Sequence, residues 1–328
     1  MSQRRAAITA VGTYVPERLL TNADLERMVE TSDEWIRTRT GISTRHVVEP
    51  GTPTSEIAAK AATDALRRRG IGPEELDLVI VATVTPDMPF PATACLVQDR
   101  IGARKAWGFD LAAACSGFVY ALNVADNAMR AGDYSRVLLV GTDALSTMVD
   151  WNDRAVSVLF GDGAGAAVMV SEPGPRGVLA SLLRSSGEYW HLLSVRSTGV
   201  RATLDSEVRR SPDDAIKMKG PELFKLAVRS MADVTLKVAE RAGVRLDDVA
   251  LIVPHQANIR ILNAVADRLG VSHDKVFTNI DRYGNTSAAS VPIALDEAVE
   301  ANRIHDNDLV MLNACGGGLT WGANLLRW

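Results

Sequence analysis

The sequence predicts an α/β fold made of two similar halves. Short apolar runs alternate with alanine-rich amphipathic stretches, which is the pattern of βαβ units. One segment also occurs twice without gaps, because residues 70–80 read GIGPEELDLVI and residues 243–253 read GVRLDDVALIV. Self-similarity of this kind indicates that one structural unit has been duplicated.

The alternation predicts the individual elements. Short apolar runs bounded by turn residues are predicted as strands, and longer stretches with helical periodicity are predicted as helices. The predicted strands are 78–84, 137–141, 250–253 and 309–312. The predicted helices are 54–69, 92–101, 116–131, 221–242, 257–269 and 289–302.

The repeat predicts how the chain is divided. The two similar segments lie 243 − 70 = 173 residues apart, and further matches follow in the same order at nearly this spacing. We therefore predict two halves, about 1–170 and 171–328. The stretch 171–219 is rich in proline and glycine, so we interpret it as an insertion and linker that can form a mobile cap over a pocket. The second half proper then covers 220–328.

Composition excludes several classes of protein. The 328 residues carry a net charge of −4, so no overall basic excess draws the chain to nucleic acid or to an acidic membrane. No apolar run approaches the roughly 18–20 residues of a membrane span. The basic start, Met1–Arg5, precedes an interrupted apolar stretch, so we expect no signal peptide.

The three cysteines, Cys95, Cys115 and Cys315, lie far apart and form no CxxC pair. This spacing argues against a disulfide framework or a zinc site and favours a reducing cytoplasm. Each cysteine is therefore either a small buried side chain or a nucleophile. Cys115 follows three alanines and precedes Ser116-Gly117 and a predicted helix. Small neighbours allow a substrate to approach, and a helix start favours a thiolate, although a structural role stays open.

Polar residues in the second half follow a strand in the same way. The strand 250–253 ends in Pro254 and His255, and the loop with Asn285 precedes another predicted helix. At the repeat spacing of 173, Cys115 corresponds to Ala288, so the Cys115 loop and the Asn285 loop are equivalent strand-to-helix turns. Pseudo-twofold symmetry brings both turns to one centre. The alternative is that His255 is an ordinary core or surface residue whose hydrogen bonds are satisfied.

Two glycine-rich segments need separate interpretations. Gly161–Gly165 precedes a strand pattern, whereas a dinucleotide-binding loop precedes a helix, so close backbone packing is the better interpretation. Gly316–Gly318 follows the strand 309–312 and can present backbone N–H groups to a ligand. The chain contains no GxSxG, Walker A or HExxH motif.

Six motifs together resemble one family. They are TSDEWIRTRTGI (31–42), AACSG (113–117), DRAVSVLFGDGAGAAV (153–168), VPHQANIR (253–260), YGNTSAAS (283–290) and GGGLTWG (316–322). The chain resembles the β-ketoacyl-[acyl-carrier-protein] synthase III family, the initiating condensing enzymes of type II fatty acid synthesis, over essentially its whole length. The resemblance implies the thiolase fold, with duplicated βαβαβ-type halves in a five-layer αβαβα arrangement.

The resemblance also implies the roles of the catalytic residues. Cys115 matches the nucleophile that takes the acyl group from acyl-CoA, and His255 and Asn285 match the pair that hydrogen-bonds the malonyl thioester oxygen. The amide groups of Cys115 and Gly317 match the oxyanion hole. Two neutral donors stabilise an enolate without protonating it, so neither a metal nor a cofactor is needed.

Binding residues carry over in the same way. The expected CoA contacts are Trp35, Arg39, Thr31, Arg154 and Asn258. The expected carrier-protein segment is Gln256, Ala257, Asn258, Ile259 and Arg260. Phe90 matches a residue that a homodimer inserts into the acyl pocket of its partner. The basic residues that can meet an acidic acyl carrier protein are Lys217, Lys219, Lys225, Arg229 and Arg260. For about half of these, simple solvation of a helix face is the alternative.

Two departures from the family pattern limit these implications. Cys315 stands where members commonly have phenylalanine, and in degradative thiolases a cysteine at the corresponding place is the catalytic base. The order of His255 and Asn285, however, favours decarboxylative condensation, so we interpret Cys315 as part of the acyl pocket wall. Asp267 lies in a helix region that is usually more basic, which weakens the carrier-protein inference.

Rival functions remain at this stage. The first is a condensing enzyme of secondary metabolism with another acyl donor or acceptor. The second is a non-catalytic subunit of a condensing heterodimer, which the presence of Cys115 disfavours. The acyl chain length, its branching and the dimer geometry do not follow from the sequence.

The two interpretations of Cys315 make opposite predictions. If Cys315 shapes the pocket, Cys315→Phe will leave catalysis largely intact and shift preference toward shorter acyl groups, at a stability cost of about 1–3 kcal/mol where room is lacking. Cys315→Ala will stay active, and acetyl-CoA alone will give no acetoacetyl product. Mass analysis of the products checks this. Formation of that product by the wild type, and its loss in Cys315→Ala, shows a thiolase-like base instead.

Overall fold

The computed structural model describes residues 4–132, 134–195 and 215–328, and it contains two mixed β-sheets with helices on their faces. The segment 196–214, which is part of the predicted cap at 171–219, lies outside the described residues. Among the helices that the structure describes, none has the length and apolarity required to cross a membrane.

The first half forms a five-stranded sheet in the order β1-β7-β6-β4-β5. Strands β4, β5 and β6 are parallel, and β7 is antiparallel to both of its neighbours. The elements are β1 (Arg4–Tyr14), β2 (Leu19–Thr21), α1 (Asn22–Glu26), α2 (Asp33–Thr40), β3 (Thr44–His46), α3 (Thr54–Arg69), β4 (Leu78–Ala82), α4 (Thr93–Ile101), β5 (Trp107–Leu111), α5 (Gly117–Ala131), β6 (Arg136–Ala144), α6 (Arg154–Ser157) and β7 (Asp162–Pro173).

The second half forms a four-stranded sheet in the order β11-β12-β13-β8. Its first pair is parallel and the other two pairs are antiparallel. The elements are β8 (Gly177–Ser185), β9 (Leu193–Ser194), β10 (Lys217–Met218), α7 (Gly220–Ala242), β11 (Leu251–Pro254), α8 (Ile259–Leu269), α9 (Ile280–Tyr283), α10 (Ser290–Glu300), β12 (Leu309–Gly316) and β13 (Thr320–Arg327).

The two sheets repeat one topology. Strand β1 begins at Arg4 and strand β8 at Gly177, which is the spacing 177 − 4 = 173 seen in the sequence. In the first half β5 pairs in parallel with β4, and in the second half the equivalent strand shrinks to a single bridge between Val276 and Ile252. The division at 170 and 219 stays a prediction, and β8, inside 171–219, is an edge strand of the second sheet.

Two helices form the layer between the sheets. Helix α5 contacts β1, β4 and β6 of the first sheet and β8, β12 and β13 of the second, and α10 likewise contacts strands of both sheets. Helices α3 and α4 cover the outer face of the first sheet, and α7 and α8 cover that of the second. The five-layer αβαβα prediction is therefore confirmed. An apolar surface on nearly every side of α10, including Val291, Ile293 and Leu295, suits this central position.

Strand β7 explains the first glycine-rich segment. It is extended from Asp162 onward, as the strand interpretation requires. A Cβ atom at Gly165 would lie 2.7 Å from the Pro292 side chain of α10, and one at Gly161 would lie 2.3 Å from the Tyr283 carbonyl oxygen. The glycines therefore allow β7 to pack directly against the central layer, and they form no dinucleotide loop.

Candidate active site

Cys115 lies in a tight turn that joins β5 to the central helix α5. The turn, Ala114–Ser116, is a single 3-10 turn, and Ala114 adopts a positive φ of 47°. The Ser116 hydroxyl donates to the Thr320 carbonyl oxygen at 2.9 Å, and the Thr320 hydroxyl donates to the Ala113 carbonyl oxygen at 2.8 Å. These two bonds hold the nucleophile turn of the first half against β13 of the second.

The Cys115 thiol is buried, with 6% of the residue exposed. Burial raises the pKa of the thiol to about 12, and a hydrogen bond from the Ser287 side chain opposes the shift. The helix start at α5 favours a thiolate, but desolvation outweighs that effect here. The side chain is therefore a protonated thiol at neutral pH.

His255 follows β11 directly and is 1% exposed. Burial lowers the pKa of its imidazole to about 3, so the ring is neutral. Its Nδ1 lies 2.6 Å from the Ser290 hydroxyl oxygen, which also accepts a hydrogen bond from the Gln256 N–H. That hydroxyl proton is free to donate to Nδ1, and this places the ring proton of His255 on Nε2 as a donor.

Asn285 has its side-chain amide oriented by the backbone. Its Oδ1 accepts a hydrogen bond from the Ser287 N–H at 2.9 Å, and its own N–H donates to the Leu159 carbonyl oxygen at 2.8 Å. Because Oδ1 is occupied, the Nδ2 group is the part that is available to a ligand. Asn285 thus offers a neutral donor, like His255.

The segment Asn285–Ser290 connects the three predicted catalytic residues. Asn285 begins it, the turn 287–289 packs against the turn that holds Cys115, and the Ser290 hydroxyl hydrogen-bonds His255. The equivalence of the two strand-to-helix turns is visible in the backbone, since Ser287 has a φ of 51° and Ala114 a φ of 47°. The structure therefore brings a buried thiol and two neutral polar side chains around one short segment.

Glycines at the end of β12 line the same centre. A Cβ atom at Gly316 would lie 2.6 Å from the Cys115 backbone nitrogen, so only glycine leaves that N–H accessible. Gly317 comes next and is partly exposed. This arrangement is compatible with an oxyanion site at the amides of Cys115 and Gly317, which remains a proposal.

Cys315 packs in an apolar wall beside this centre. Its buried neighbours are Met231, Ile261, Val265 and Leu319. Burial raises the pKa of the Cys315 thiol, with the nearby Cys115 as a second cause. A thiol of this kind holds its proton at neutral pH, which supports the pocket-wall interpretation over that of a catalytic base.

The residues expected to contact CoA form a separate cluster on the surface. The guanidinium carbons of Arg39 and Arg154 each lie 4.6 Å from the centre of the Trp35 ring. The hydroxyl of Thr31 is buried and lacks a hydrogen-bond partner among the residues the structure describes. Asn258 caps helix α8, where its Oδ1 accepts from the Arg260 N–H at 2.8 Å.

The predicted carrier-protein segment divides into buried and exposed residues. Gln256 is 1% exposed, and its amide bonds the carbonyl oxygens of Pro254 and Phe277 and the N–H of Asn279. Its side chain therefore faces the interior, unlike a surface contact, and it supports the loop that carries His255. Ala257, Asn258 and Ile259 are partly buried, and Arg260 is exposed.

Sequence reasoning missed several functional neighbours. Ser287, Ser290 and Thr320 lie within the quoted motifs, but residue type alone did not separate them from their neighbours. Asp143 at the end of β6 received no role, although its carboxyl accepts from the Ala288 N–H at 3.2 Å. A polar residue at the end of an apolar strand was the signal that could have found Asp143.

Comparison with known proteins identifies the family. Family models of 3-oxoacyl-[acyl-carrier-protein] synthase III match residues 109–187, and a model of its C-terminal part matches residues 239–328. The β-ketoacyl-[acyl-carrier-protein] synthase III of Roseiflexus sp. is 53% identical over 323 residues, which are 98% of each chain.

Solved structures agree with this match. The 3-oxoacyl-[acyl-carrier-protein] synthase III of Aquifex aeolicus superposes with a TM-score of 0.92 at 48% identity, covering 98% of this chain and 100% of that chain. The priming β-ketosynthase of the R1128 polyketide pathway has a TM-score of 0.91 at 34% identity, covering 100% of this chain and 97% of that chain. The chain therefore belongs to the β-ketoacyl-[acyl-carrier-protein] synthase III family, acyltransferases with the thiolase fold.

Proposed function

We propose that the chain performs the condensation of its family with Cys115 as the acyl-carrying nucleophile. The reaction joins an acyl-CoA to malonyl-[acyl-carrier protein], gives 3-oxoacyl-[acyl-carrier protein], CoA and CO2, and initiates fatty acid biosynthesis. The observation that supports the residue assignment is the segment Asn285–Ser290, which packs against the Cys115 turn, begins with Asn285 and hydrogen-bonds His255 through Ser290.

Cys115 performs the first half-reaction. Its sulfur attacks the acyl carbonyl, a new C–S bond forms, and the C–S bond to CoA breaks. Both species are thioesters, so the exchange needs no change of bond class. The amides of Cys115 and Gly317 are proposed to bind the oxyanion that forms during attack, and the absence of a side chain at Gly316, beside the Cys115 nitrogen, supports this.

His255 and Asn285 serve the second half-reaction. Loss of CO2 from the malonyl group leaves an enolate with its charge on the thioester oxygen. The imidazole is neutral because burial lowers its pKa to about 3, so both residues donate hydrogen bonds without protonating the carbanion. The enolate carbon then attacks the acyl group on Cys115, a C–C bond forms, and the Cys115 sulfur leaves.

The Trp35 cluster is proposed as the site for the nucleotide end of CoA. An indole ring flanked by two guanidinium groups offers a stacking surface for adenine and cations for phosphate. The unpartnered Thr31 hydroxyl supports a polar ligand there. Asn258, at the start of α8, is proposed as a further contact.

An acidic acyl carrier protein is proposed to dock on exposed cations near α7 and α8. Lys225 and Arg229 are four residues apart and share one face of α7, and Arg260 lies in the first turn of α8, which packs against α7. Lys217 and Lys219 precede α7. All five cations are exposed, and none is within an ion-pair distance of a carboxylate in the described part of the chain.

A homodimer is proposed because the first half exposes two large aromatic side chains. Phe90 is 84% exposed in the single chain, and Trp107 on the edge strand β5 is 48% exposed. Large aromatic side chains at such exposure suit burial against a second copy. The role of Phe90 at the end of the partner's acyl pocket rests on the family resemblance.

Polyketide priming is the second candidate, favoured by full-length similarity to the R1128 priming β-ketosynthase and by Cys315. A panel of acetyl-, isobutyryl-, hexanoyl- and decanoyl-CoA separates the two, if each is tested with the malonyl form of a fatty acid carrier protein and with that of a polyketide carrier protein. Product masses should show that short acyl groups are condensed with the malonyl-loaded carrier protein of fatty acid synthesis. Activity only with the carrier protein of a polyketide pathway contradicts the first proposal.

Acylation of Cys115 is the first expected result. After incubation with acyl-CoA, the intact-protein mass should rise by one acyl unit, because one thiol takes the group. Cys115→Ser should lose most of this labelling. Cys95 is exposed, so Cys95→Ser is the matched control and should label fully. Undiminished labelling of Cys115→Ser excludes Cys115 as the carrier.

Variants of the two proposed donors should affect the two half-reactions differently. His255→Ala and Asn285→Ala should slow decarboxylation of malonyl-[acyl-carrier protein] by about 10²–10³, the usual cost of losing one oxyanion donor, while acyl transfer to Cys115 is less affected. Release of CO2 and acyl-enzyme mass measure the two steps separately. Wild-type decarboxylation in either variant removes that residue from the enolate site.

Carrier docking should depend on charge. Arg260→Glu should raise the apparent KM for malonyl-[acyl-carrier protein] and leave acyl transfer from CoA nearly intact, and the wild-type KM should rise with salt. Arg67→Glu, on the outer helix of the other half, makes the same charge change and should not alter this KM. A KM that does not respond to salt argues against electrostatic docking.

A further inference from the structure

We propose that Arg45 is a positioning residue for Asn285, because its buried guanidinium holds the backbone segment 158–161 to which Asn285 is bonded. The inference deepens the proposed function and rests on it, since it assumes that Asn285 donates to the enolate. It assigns the part of the fold that fixes this donor in place. Arg45 acts through Asn285 and is not itself a donor to the substrate.

Arg45 is a buried cation without a counter-charge. It lies in the middle of β3 and is 0% exposed. In the described part of the chain no carboxylate pairs with it, and its Nε lacks a hydrogen-bond partner. Burial lowers the pKa of the guanidinium to about 10, so the group is still charged at neutral pH. A buried charge is unfavourable unless its donors are bonded, so the bonds of its two Nη groups keep it in this place.

One arm of the guanidinium is anchored to a rigid partner. Its Nη1 donates to the Asn22 Oδ1 at 2.8 Å. The Nδ2 group of Asn22 in turn donates to the Asp33 carboxylate at 2.8 Å and to the Ile42 carbonyl oxygen at 2.9 Å. Because both ends of this buried amide are bonded, the anchor cannot turn away. It fixes the guanidinium to the first turn of α2.

The other arm reaches the segment that carries Asn285. The Nη2 group of Arg45 donates to the Val158 carbonyl oxygen at 2.6 Å. The next carbonyl oxygen, that of Leu159, accepts from the Asn285 N–H at 2.8 Å, and the Gly161 N–H donates to the Asn285 carbonyl oxygen at 3.0 Å. Asn285 is therefore bonded through both of its backbone groups to one short segment, and Arg45 holds the start of that segment.

The stem of Arg45 packs against the backbone around the donor. A Cβ atom at Gly161 would lie 3.1 Å from the Arg45 Cβ, and one at Gly284 would lie 3.3 Å from it. Gly284 directly precedes Asn285, and Gly161 is bonded to it. The side chain at position 45 thus touches both stretches of backbone that determine where Asn285 lies. A change in its position moves Asn285 as well.

The two half-reactions depend on Arg45 to different degrees. An oxyanion donor works only near 2.7–3.1 Å from the developing charge, and a misplacement of about 1 Å can cost about 10² in rate. Asn285 depends on the segment 158–161 for its position. The Cys115 turn is held instead by the bonds of Ser116 and Thr320, which involve no partner of Arg45. A loss at Arg45 therefore affects decarboxylation more than acyl transfer.

The test uses Arg45→Lys, which keeps the charge but removes the fork. One ammonium cannot bond Asn22 and Val158 with the spacing of two Nη groups. At saturating malonyl-[acyl-carrier protein], CO2 release should be about tenfold slower, less than the 10²–10³ expected when the donor itself is lost. The KM for the carrier substrate and the rate of acyl transfer to Cys115, read from intact-protein mass, should stay close to those of the wild type.

A double-mutant cycle separates positioning from a general loss of order. In the Asn285→Ala background, Arg45→Lys should slow CO2 release no further, because Arg45 acts through the side chain that is already absent. A variant that only loosens the fold slows both backgrounds by the same factor. The difference between the two backgrounds is therefore the decisive measurement.

Arg130→Lys is the matched control. Arg130 also joins two partners, since its Nε donates to Asp126 at 2.8 Å and its Nη2 donates to the Val178 carbonyl oxygen at 2.8 Å. It lies at the far end of α5 (Gly117–Ala131), about 20 Å from the Cys115 turn. Its variant should keep wild-type rates in both half-reactions. A circular-dichroism melt checks folding, and Arg45→Met, which leaves no buried charge, decides if Arg45→Lys does not fold.

The outcomes separate this inference from the proposed function. Wild-type CO2 release in a folded Arg45 variant, an equal loss in both half-reactions, or an equal loss in both backgrounds overturns the positioning role and leaves the proposed function intact. Failure of both Arg45 variants to fold shows a structural residue and also overturns it. Wild-type CO2 release in Asn285→Ala overturns the donor role of Asn285 itself. A selective loss that disappears in the Asn285→Ala background supports the inference.

Discussion

The site depends on a backbone contact between the two halves at the centre of the molecule. A Cβ atom at Gly141 would lie 2.3 Å from the Ala288 carbonyl oxygen, and one at Gly117 would lie 3.3 Å from the Ala288 Cβ. Larger side chains at these positions force the two strand-to-helix turns apart. Because Cys115 belongs to one turn and Asn285 precedes the other, the small residues determine whether nucleophile and donors meet at all.

Duplication gives two equivalent turns that meet at the centre of the molecule, and the different residues of the two turns give the site its chemistry. The two turns keep the same unusual backbone, with positive φ at Ala114 and at Ser287, which stand 287 − 114 = 173 residues apart. One turn carries the Cys115 thiol, and the other carries the Ser287 hydroxyl and packs against the first. Positive φ at residues other than glycine is strained, and such strain persists where the surrounding structure imposes it. Here the packing of the opposite turn imposes it.

Sequence patterns predicted well the helices that surround the site. The predicted helices 54–69 and 221–242 differ from α3 and α7 by at most one residue, because glycine ends both helices in the left-handed conformation. The antiparallel strands were predicted only in part. The strand pattern after Gly165 belongs to β7, which already begins at Asp162, whereas β1, β8 and β13 were not predicted.

The chemical state of the site was less predictable than its residues. A helix start pointed to a thiolate at Cys115, whereas burial keeps the thiol protonated. Gln256 was expected at the surface, but its amide bonds Pro254, Phe277 and Asn279 in the interior. Both outcomes depend on residues far away in the chain. Desolvation and the partners of a buried amide follow from tertiary packing, which local patterns do not contain.

The repeat also explains why the backbone amides of the two equivalent turns have different surroundings. Cys115 and Ala288 are equivalent at a spacing of 173, and so are Asp143 and Gly316, since 316 − 143 = 173. In one turn the Asp143 carboxyl occupies the Ala288 N–H at 3.2 Å. In the other, Gly316 has no side chain, and a Cβ there would lie 2.6 Å from the Cys115 nitrogen. A carboxylate at that place would block the amide and repel a developing negative charge. The same pair of positions therefore places a carboxylate beside the Ala288 amide and a glycine beside the Cys115 amide, which supports the proposed role of the Cys115 amide.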